Sequence, residues 1–285
     1  MSFVQVLLAG GLGNRMFEYA FARGYAERHG LELRRETCIL DQIFDIPACP
    51  PVDGSVSQVV SAENVKTEDN GQPGWAGRTG VTIVGMGQHQ DCLDYYTRAK
   101  AREWFKLRPE LEELVKDVPI LNLVANPREG DYAFACNPMV LIDRQAYIAA
   151  CEEQGYDSLW LYFLDGETHW RIPGIPVEKP WGQLNDEEKG KLPGTKARLD
   201  FLPDWAILLR AKILFRSNST FSWWGAALGE HDKVFCPNVA RVRPEDGILP
   251  NNPTRKPQIV PFVEGNHLPM IAGYPWATEL HLKEQ

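Results

Sequence analysis

The chain has 285 residues, 44% of them hydrophobic, which is enough for two domains of roughly 100–200 residues, each with its own core. Its net charge of −8 argues against nonspecific binding to nucleic acid or other polyanions, so an anionic ligand needs a local positive pocket. From the N-terminus, Phe3 to Leu8 reads as a strand, Gly10-Gly11-Leu12-Gly13-Asn14 as a glycine turn, and Met16 to His29 as a helix whose apolar stripe includes Phe17, Tyr19, Phe21 and Tyr25. A strand, a glycine turn and a helix let backbone approach a pyrophosphate or sugar closely. The dinucleotide fingerprint G-x-G-x-x-G is a rival, with Glu36 near the place of a ribose-binding acid. Met16 stands where its third glycine belongs, which disfavours a nicotinamide site.

Further along, Glu63 to Gly77 reads as a polar loop, Thr79 to Gly87 as a strand ending in glycines, and Leu93 to Phe105 as a helix. Glu110 to Val118 reads as a linker helix stopped by Pro119, which sets a boundary between domains 1–118 and 119–285. Beyond it, Ile120 to Val124 is an apolar run, Pro138 to Gly155 a helix and Ser158 to Phe163 a buried strand. Asp204 to Ala211 is a helix, Lys212 to Phe215 a strand, Trp223 to Leu228 an apolar helix and Lys233 to Cys236 a last strand. The tail beyond Ala240 is Pro- and Asn-rich, without periodicity, and free to return to the first domain. Alternating strands and helices imply an α/β protein with parallel sheets.

The most informative segment is Ser217-Asn218-Ser219-Thr220-Phe221-Ser222-Trp223-Trp224-Gly225. Small hydroxyl and amide side chains at a strand-to-helix turn leave backbone N–H groups unused at the positive end of a helix dipole, an arrangement that binds phosphate. The alternative is a capped helix with a Trp pair in the core. Asn218-Ser219-Thr220 also fits a glycosylation sequon, but a turn between a buried strand and a Trp-rich helix is a poor acceptor.

The two turn segments together resemble bacterial α-1,2-fucosyltransferases. Gly10-Gly11-Leu12-Gly13-Asn14-Arg15-Met16-Phe17-Glu18-Tyr19-Ala20 is similar to that family's G-G-L-G-N-Q-M-F-Q-Y-A opening. Asp204 and the run Ser217 to Leu228 resemble its second signature, D…S-N-S-S-F-S-W-W-(G/A)-A-W-L. The resemblance implies two Rossmann-like domains facing a cleft (GT-B type), with the N-terminal one on the acceptor side, and inverting transfer from GDP-fucose to a glycan hydroxyl. A third signature, H-x-R-R-G-D-Y, is altered here to Asn126-Pro127-Arg128-Glu129-Gly130-Asp131-Tyr132: Arg128 keeps the first arginine, Asn126 replaces the histidine, and Glu129 the second arginine. In the family the first arginine holds the donor diphosphate. Glu129 reverses the local field, which leaves open another nucleotide-sugar donor or a protein that binds without catalysing.

On these grounds Gly11, Gly13, Asn14, Asn126, Arg128, Asp204, Ser217, Asn218, Ser219, Thr220 and Phe221 are expected at the donor, with Arg128 and Asp131 catalytic; Arg15, Arg210 and Arg216 are further arginines near the motifs. Asp131 and Glu18 are candidate bases, each equally readable as a structural acid, and His89 is expected to be structural. No cofactor and no metal are expected, because no D-x-D motif occurs and fixed dipoles with an arginine can stabilise a leaving diphosphate. The partners are a nucleotide sugar and a glycan acceptor, with peripheral membrane association if that acceptor is lipid-linked. Cys38, Cys49, Cys92, Cys136, Cys151 and Cys236 form no C-x-x-C pair and read as thiols. With no leader and no apolar run of ~20 residues, they point to the cytoplasm.

Overall fold

The computed structural model of the chain describes residues 2–56, 58–65, 74–128, 140–164, 199, 201–239, 257–267 and 282–284. They fall into two compact units, one holding the chain up to Glu112 and taking in Leu282 to Glu284, the other holding Glu113 to His267.

In the first unit β1 (Phe3–Val6) leads into α1 (Leu12–His29), then β2 (Glu32–Arg34), α2 (Ile39–Ile43), β3 (Val59–Ser61) and β4 (Val81–Val84). The sheet order is β2-β1-β4-β3, and every pairing is parallel. Helix α1 starts four residues before the predicted Met16, because Gly11 serves as its N-cap and Gly13 lies inside its first turn. Its buried aromatic face packs Phe21 and Tyr25 edge-on or tilted against Trp75 and Tyr95. Gly24 is where α1 passes Tyr95: a Cβ there would lie 2.6 Å from the Tyr95 carbonyl oxygen. At the far end Gly30, with φ 64°, donates its amide to Ala26 and Glu27 and stops the helix.

The predicted helix over Leu93–Phe105 is two helices, α3 (Gln90–Leu93) and α4 (Arg98–Trp104). The Thr97 hydroxyl accepts the Lys100 amide and restarts the helix, and Tyr95 just before it turns into the α1 face. Helix α5 (Pro109–Val115) then carries the chain from one unit to the other.

The second unit contains β5 (Leu123–Asn126), α6 (Arg144–Glu153), β6 (Tyr162–Phe163), α7 (Leu202–Arg210), β7 (Ile213–Arg216), α8 (Thr220–Leu228), β8 (Lys233–Pro237) and β9 (Phe262–Glu264). Its order is β6-β5-β7-β8-β9, parallel except for the antiparallel β9. The core on one side of this sheet joins Phe215, stacked on Phe235 at 4.7 Å, to Tyr147, Phe262, Val239 and Ile142.

Three expectations need correction here. The helix predicted from Pro138 begins at Arg144, because Ile142 pairs with Gln258 as extended chain and Asp143 caps the Gln145 amide. The predicted strand Ser158–Phe163 opens as a 3-10 turn over Ser158–Trp160, with Asp157 accepting the Leu159 amide and Leu159 and Trp160 exposed. The tail, read as lacking periodicity, supplies β9, whose Phe262 completes the core, while Leu282 to Glu284 return to the first unit as expected. Two mainly parallel sheets flanked by helices are the α/β, Rossmann-like class that the alternation implies.

Candidate functional site

The order of the second sheet sets the location of the site. From β5 the chain moves to β6 on one side and returns to β7 on the other, so the loops after β5 and β7 diverge. A crevice at the carboxyl ends of two such strands is where open α/β sheets bind ligands. Asn126, the last residue of β5, is in register with Arg216, the last residue of β7. The resembling segment therefore begins at the switch point of its sheet.

From there Ser217, Asn218 and Ser219 turn the chain into α8, all three buried. The Ser219 hydroxyl accepts the Phe221 amide at 3.2 Å and caps the helix. The Ser222 hydroxyl lies within 3.0–3.1 Å of the Ser219 and Ser217 carbonyls and of the Ser217 hydroxyl, so the turn is braced from inside. No acidic side chain lies in the first turn of α8, so the helix itself supplies no charge to offset its positive dipole end. Phe221 packs on Trp205 at 5.0 Å and Phe201 at 5.7 Å, fixing α8 against α7, whose first turn carries the half-buried Asp204. Trp223 donates its ring N–H to the Asn266 carbonyl and accepts the Asn266 amide in return.

Two side chains at this turn stand out. The Asn218 carboxamide is 1% exposed, and neither its oxygen nor its nitrogen has a partner among the described residues. Burial at that level also excludes Asn218 as a glycosylation acceptor. Arg216 is fully buried; its Nη1 donates to the Ser217 carbonyl at 2.8 Å, and its Nε and Nη2 have no acceptor among the described residues. Burial pushes its guanidinium below the ordinary value, against the weaker pull of Cys236 and Tyr147. The sequence pattern ends the strand at Phe215, which makes Arg216 an arginine near the motif and not a site residue. The signal that could have found it is a cation closing an apolar strand just before a polar turn.

On the β5 side, Asn126 donates weakly to the Leu164 carbonyl at 3.4 Å, Pro127 is buried and Arg128 is exposed. Glu129 and Asp131 lie outside the described residues, as does Cys136. Arg210 belongs elsewhere: its Nη1 donates to the carbonyl of Val115, the last residue of α5, and to that of Val118 beyond it.

The glycine turn belongs to the first unit. Gly10 has φ 74°, and a Cβ on it would meet the Asn14 side chain at 2.7 Å, so this position needs glycine. Gly11 would meet nothing within 4 Å, so its lack of a side chain leaves the start of α1 open. The turn is held by Arg15 Nε on the Gly10 carbonyl, Gln88 Nε2 on the Asn14 side-chain oxygen, and the Ala9 amide on Glu18. Glu18, 2% exposed and bonded to Ala9, acts as a brace for the loop. His89 caps α3 by accepting the Asp91 amide, the structural role expected of it. Among the described residues no three His, Cys, Asp or Glu side chains gather as a metal site. No described helix is long and apolar enough to cross a membrane.

The cap gives a first prediction. Changing Ser219 and Thr220 together to Ala should cost about 1 kcal/mol of stability, the usual value of an N-cap, and weaken nucleotide binding while the protein stays folded. Denaturant midpoints and nucleotide titrations read the two effects; an unchanged affinity makes the turn a core cap only.

No protein-family model matches the sequence, and no curated protein matches it. Among solved structures, the chain is similar to the NodZ α-1,6-fucosyltransferase soaked with GDP-fucose, at 13% identity and a TM-score of 0.50, with 93% of this chain and 99% of that one covered. It is also similar to fucosyltransferase NodZ from Bradyrhizobium, at 12% identity and a TM-score of 0.48, covering 82% of this chain and 96% of that one. An Arabidopsis thaliana FUT1 mutant in complex with GDP matches at 13% identity and a TM-score of 0.44, over 82% of this chain and 70% of that one. At such identities the first likeness speaks for the fold alone: two Rossmann-like units in the GT-B class.

Proposed function

We propose that the protein is an inverting glycosyltransferase that moves fucose from GDP-fucose to a hydroxyl of a glycan acceptor, in the manner of α-1,2-fucosyltransferases. The observation that carries this reading is the turn from Arg216 to Phe221 at the switch point of the second sheet, opposite Asn126. It offers the N-terminus of α8, whose first turn holds no acidic side chain, and buried donors without a partner among the described residues, where a diphosphate leaving group has to be stabilised. The fold shared with NodZ, which was soaked with GDP-fucose, supports the same reading. In the proposed reaction an acceptor hydroxyl attacks the anomeric carbon and gives up its proton to a general base or to water as GDP departs from the opposite face, and charge grows on the diphosphate as the bond breaks. Dipoles and arginines fixed in advance stabilise that charge most in the transition state. The described cysteines are free thiols, which supports action in the cytoplasm.

A second reading keeps the fold and changes the donor. Asn126 and Glu129, at two positions where the family signature carries cationic or titratable groups, favour it. A panel of nucleotide sugars scored by thermal stabilisation separates the two. A shift specific to GDP-fucose and GDP supports the first reading, a shift by another nucleotide supports the second, and no shift for any nucleotide overturns both.

Transfer should persist in EDTA. The site holds its charge with dipoles and guanidinium groups, so chelation should leave turnover and nucleotide affinity unchanged. Loss of turnover restored by magnesium or manganese refutes this.

A further inference from the structure

We infer that Arg216, which no family signature accounts for, is a phosphate-binding residue at this switch point and that, with the Asn218 carboxamide, it grips the diphosphate from the β7 side. The inference rests on reading the switch point as a nucleotide-diphosphate site and adds a residue to it. The hydrogen bonds on the guanidinium make the case. Nη1 is held by the Ser217 carbonyl, which fixes the head at the turn into α8. The remaining nitrogens, Nε and Nη2, form one edge of the planar group, the edge that takes a carboxylate or phosphate through two parallel bonds. Both lack an acceptor among the described residues, although no part of the side chain reaches solvent.

A buried charge left in that state is strongly unfavourable unless an anion joins it. The described residues supply none: the groups that act on it electrostatically are the Cys236 thiol and the Tyr147 phenol, and neither is a carboxylate. The Asn218 carboxamide, two residues on and equally buried, adds an unpartnered donor and an unpartnered acceptor. A diphosphate offers acceptors for the fork and for the Asn218 amide, and the α8 N-terminus favours the same charge. Arg216 thereby supplies, from the neighbouring strand, positive charge of the kind that Asn126 and Glu129 remove from the β5 side.

The test uses the whole protein, with GDP, guanosine and inorganic pyrophosphate as probes in calorimetric titration. Arg216→Met keeps the volume and removes the charge. Its ligand-free form should melt at a higher temperature than wild type, because an uncompensated buried charge is gone. It should bind pyrophosphate and GDP roughly 10-fold or more weakly, the loss of a charge-assisted pair, and bind guanosine unchanged. Arg216→Lys keeps the charge without the fork and should fall between; it decides the matter if the Met variant does not fold. Pyrophosphate and GDP affinities equal to wild type in the folded variants overturn the inference and leave the proposed function standing. Wild type that binds pyrophosphate but not GDP, with the Met variant losing it, overturns the nucleotide reading and leaves Arg216 as an anion site. Wild type that binds none of the probes overturns both.

Discussion

Arg128→Ala is expected to weaken nucleotide-diphosphate binding by roughly 10- to 150-fold. The residue lies two positions beyond β5, at the carboxyl end that faces the switch point, and its side chain is exposed, so it can reach a ligand without rearranging the core. A hydrogen bond to a charged group contributes about 1.5–3 kcal/mol, which sets the range. Transfer should fall further than binding, because charge on the leaving diphosphate increases toward the transition state. Arg128→Lys should restore part of the loss, since a point charge cannot reproduce a two-pronged contact. Nucleotide titration and single-turnover rates on the three proteins read this out. Equal affinity and equal turnover in the Ala variant make the arginine a surface residue with no part in the site.

The largest effect on stability is expected in the first unit. Arg35 is 2% exposed, and its two terminal nitrogens meet the Asp41 carboxylate at 2.8 and 2.5 Å. Asp41 also accepts the Cys38 amide, so one carboxylate both neutralises a buried cation and starts α2. Burial on its own raises the Asp41 pKa; the Arg35 and Cys38 hydrogen bonds outweigh it and hold the group below the usual carboxylate value. Asp41→Asn leaves the guanidinium buried without its counter-charge and should cost about 3 kcal/mol or more at pH 7.

The sign of the pH dependence follows from the same contact. A carboxylate with a depressed folded pKa stabilises the fold above its unfolded value of about 3.9, and that contribution is lost as pH falls through the folded value. The gap between wild type and Asp41→Asn should therefore narrow below pH ~4. Urea midpoints at pH 7 and pH 3 check both statements; a gap of equal size at the two pH values refutes the titration, and no gap at pH 7 refutes the pair.

The parts of the fold legible in the sequence are those in which local pattern and tertiary environment agree. Val4 and Val6 in β1, the aromatic stripe of α1, and the apolar runs ending at Phe215 and Cys236 all pack as their spacing indicates. Both strand–turn–helix units were readable for that reason. Elements held by distant partners were not. Glu32–Arg34 is polar and becomes a strand by pairing with β1, and Phe262–Glu264 is a strand through its antiparallel partner β8. The break between α3 and α4 depends on Tyr95 turning toward α1, and Leu159 and Trp160 read as buried apolar residues while facing outward. At the candidate site, hydroxyl and amide residues were legible as a turn that caps a helix. The burial of Arg216 beside them was not, because solvent access is a property of the folded sheet.

The C-terminal residues have a consequence for how the protein is made. The Arg98 amide donates to the Lys283 carbonyl at 2.8 Å and the Arg98 guanidinium meets Glu284 at 2.9 Å, a separation of 186 residues along the chain. The first unit is therefore completed by residues that follow the second unit in the chain and are translated after it. Closing so long a loop is entropically slow, and until it happens the α4 edge of the nascent first unit stays uncovered. Co-translational folding of this chain should leave the first unit in an incomplete state that chaperones can bind, and removal of residues 282–284 should prolong that state on and off the ribosome.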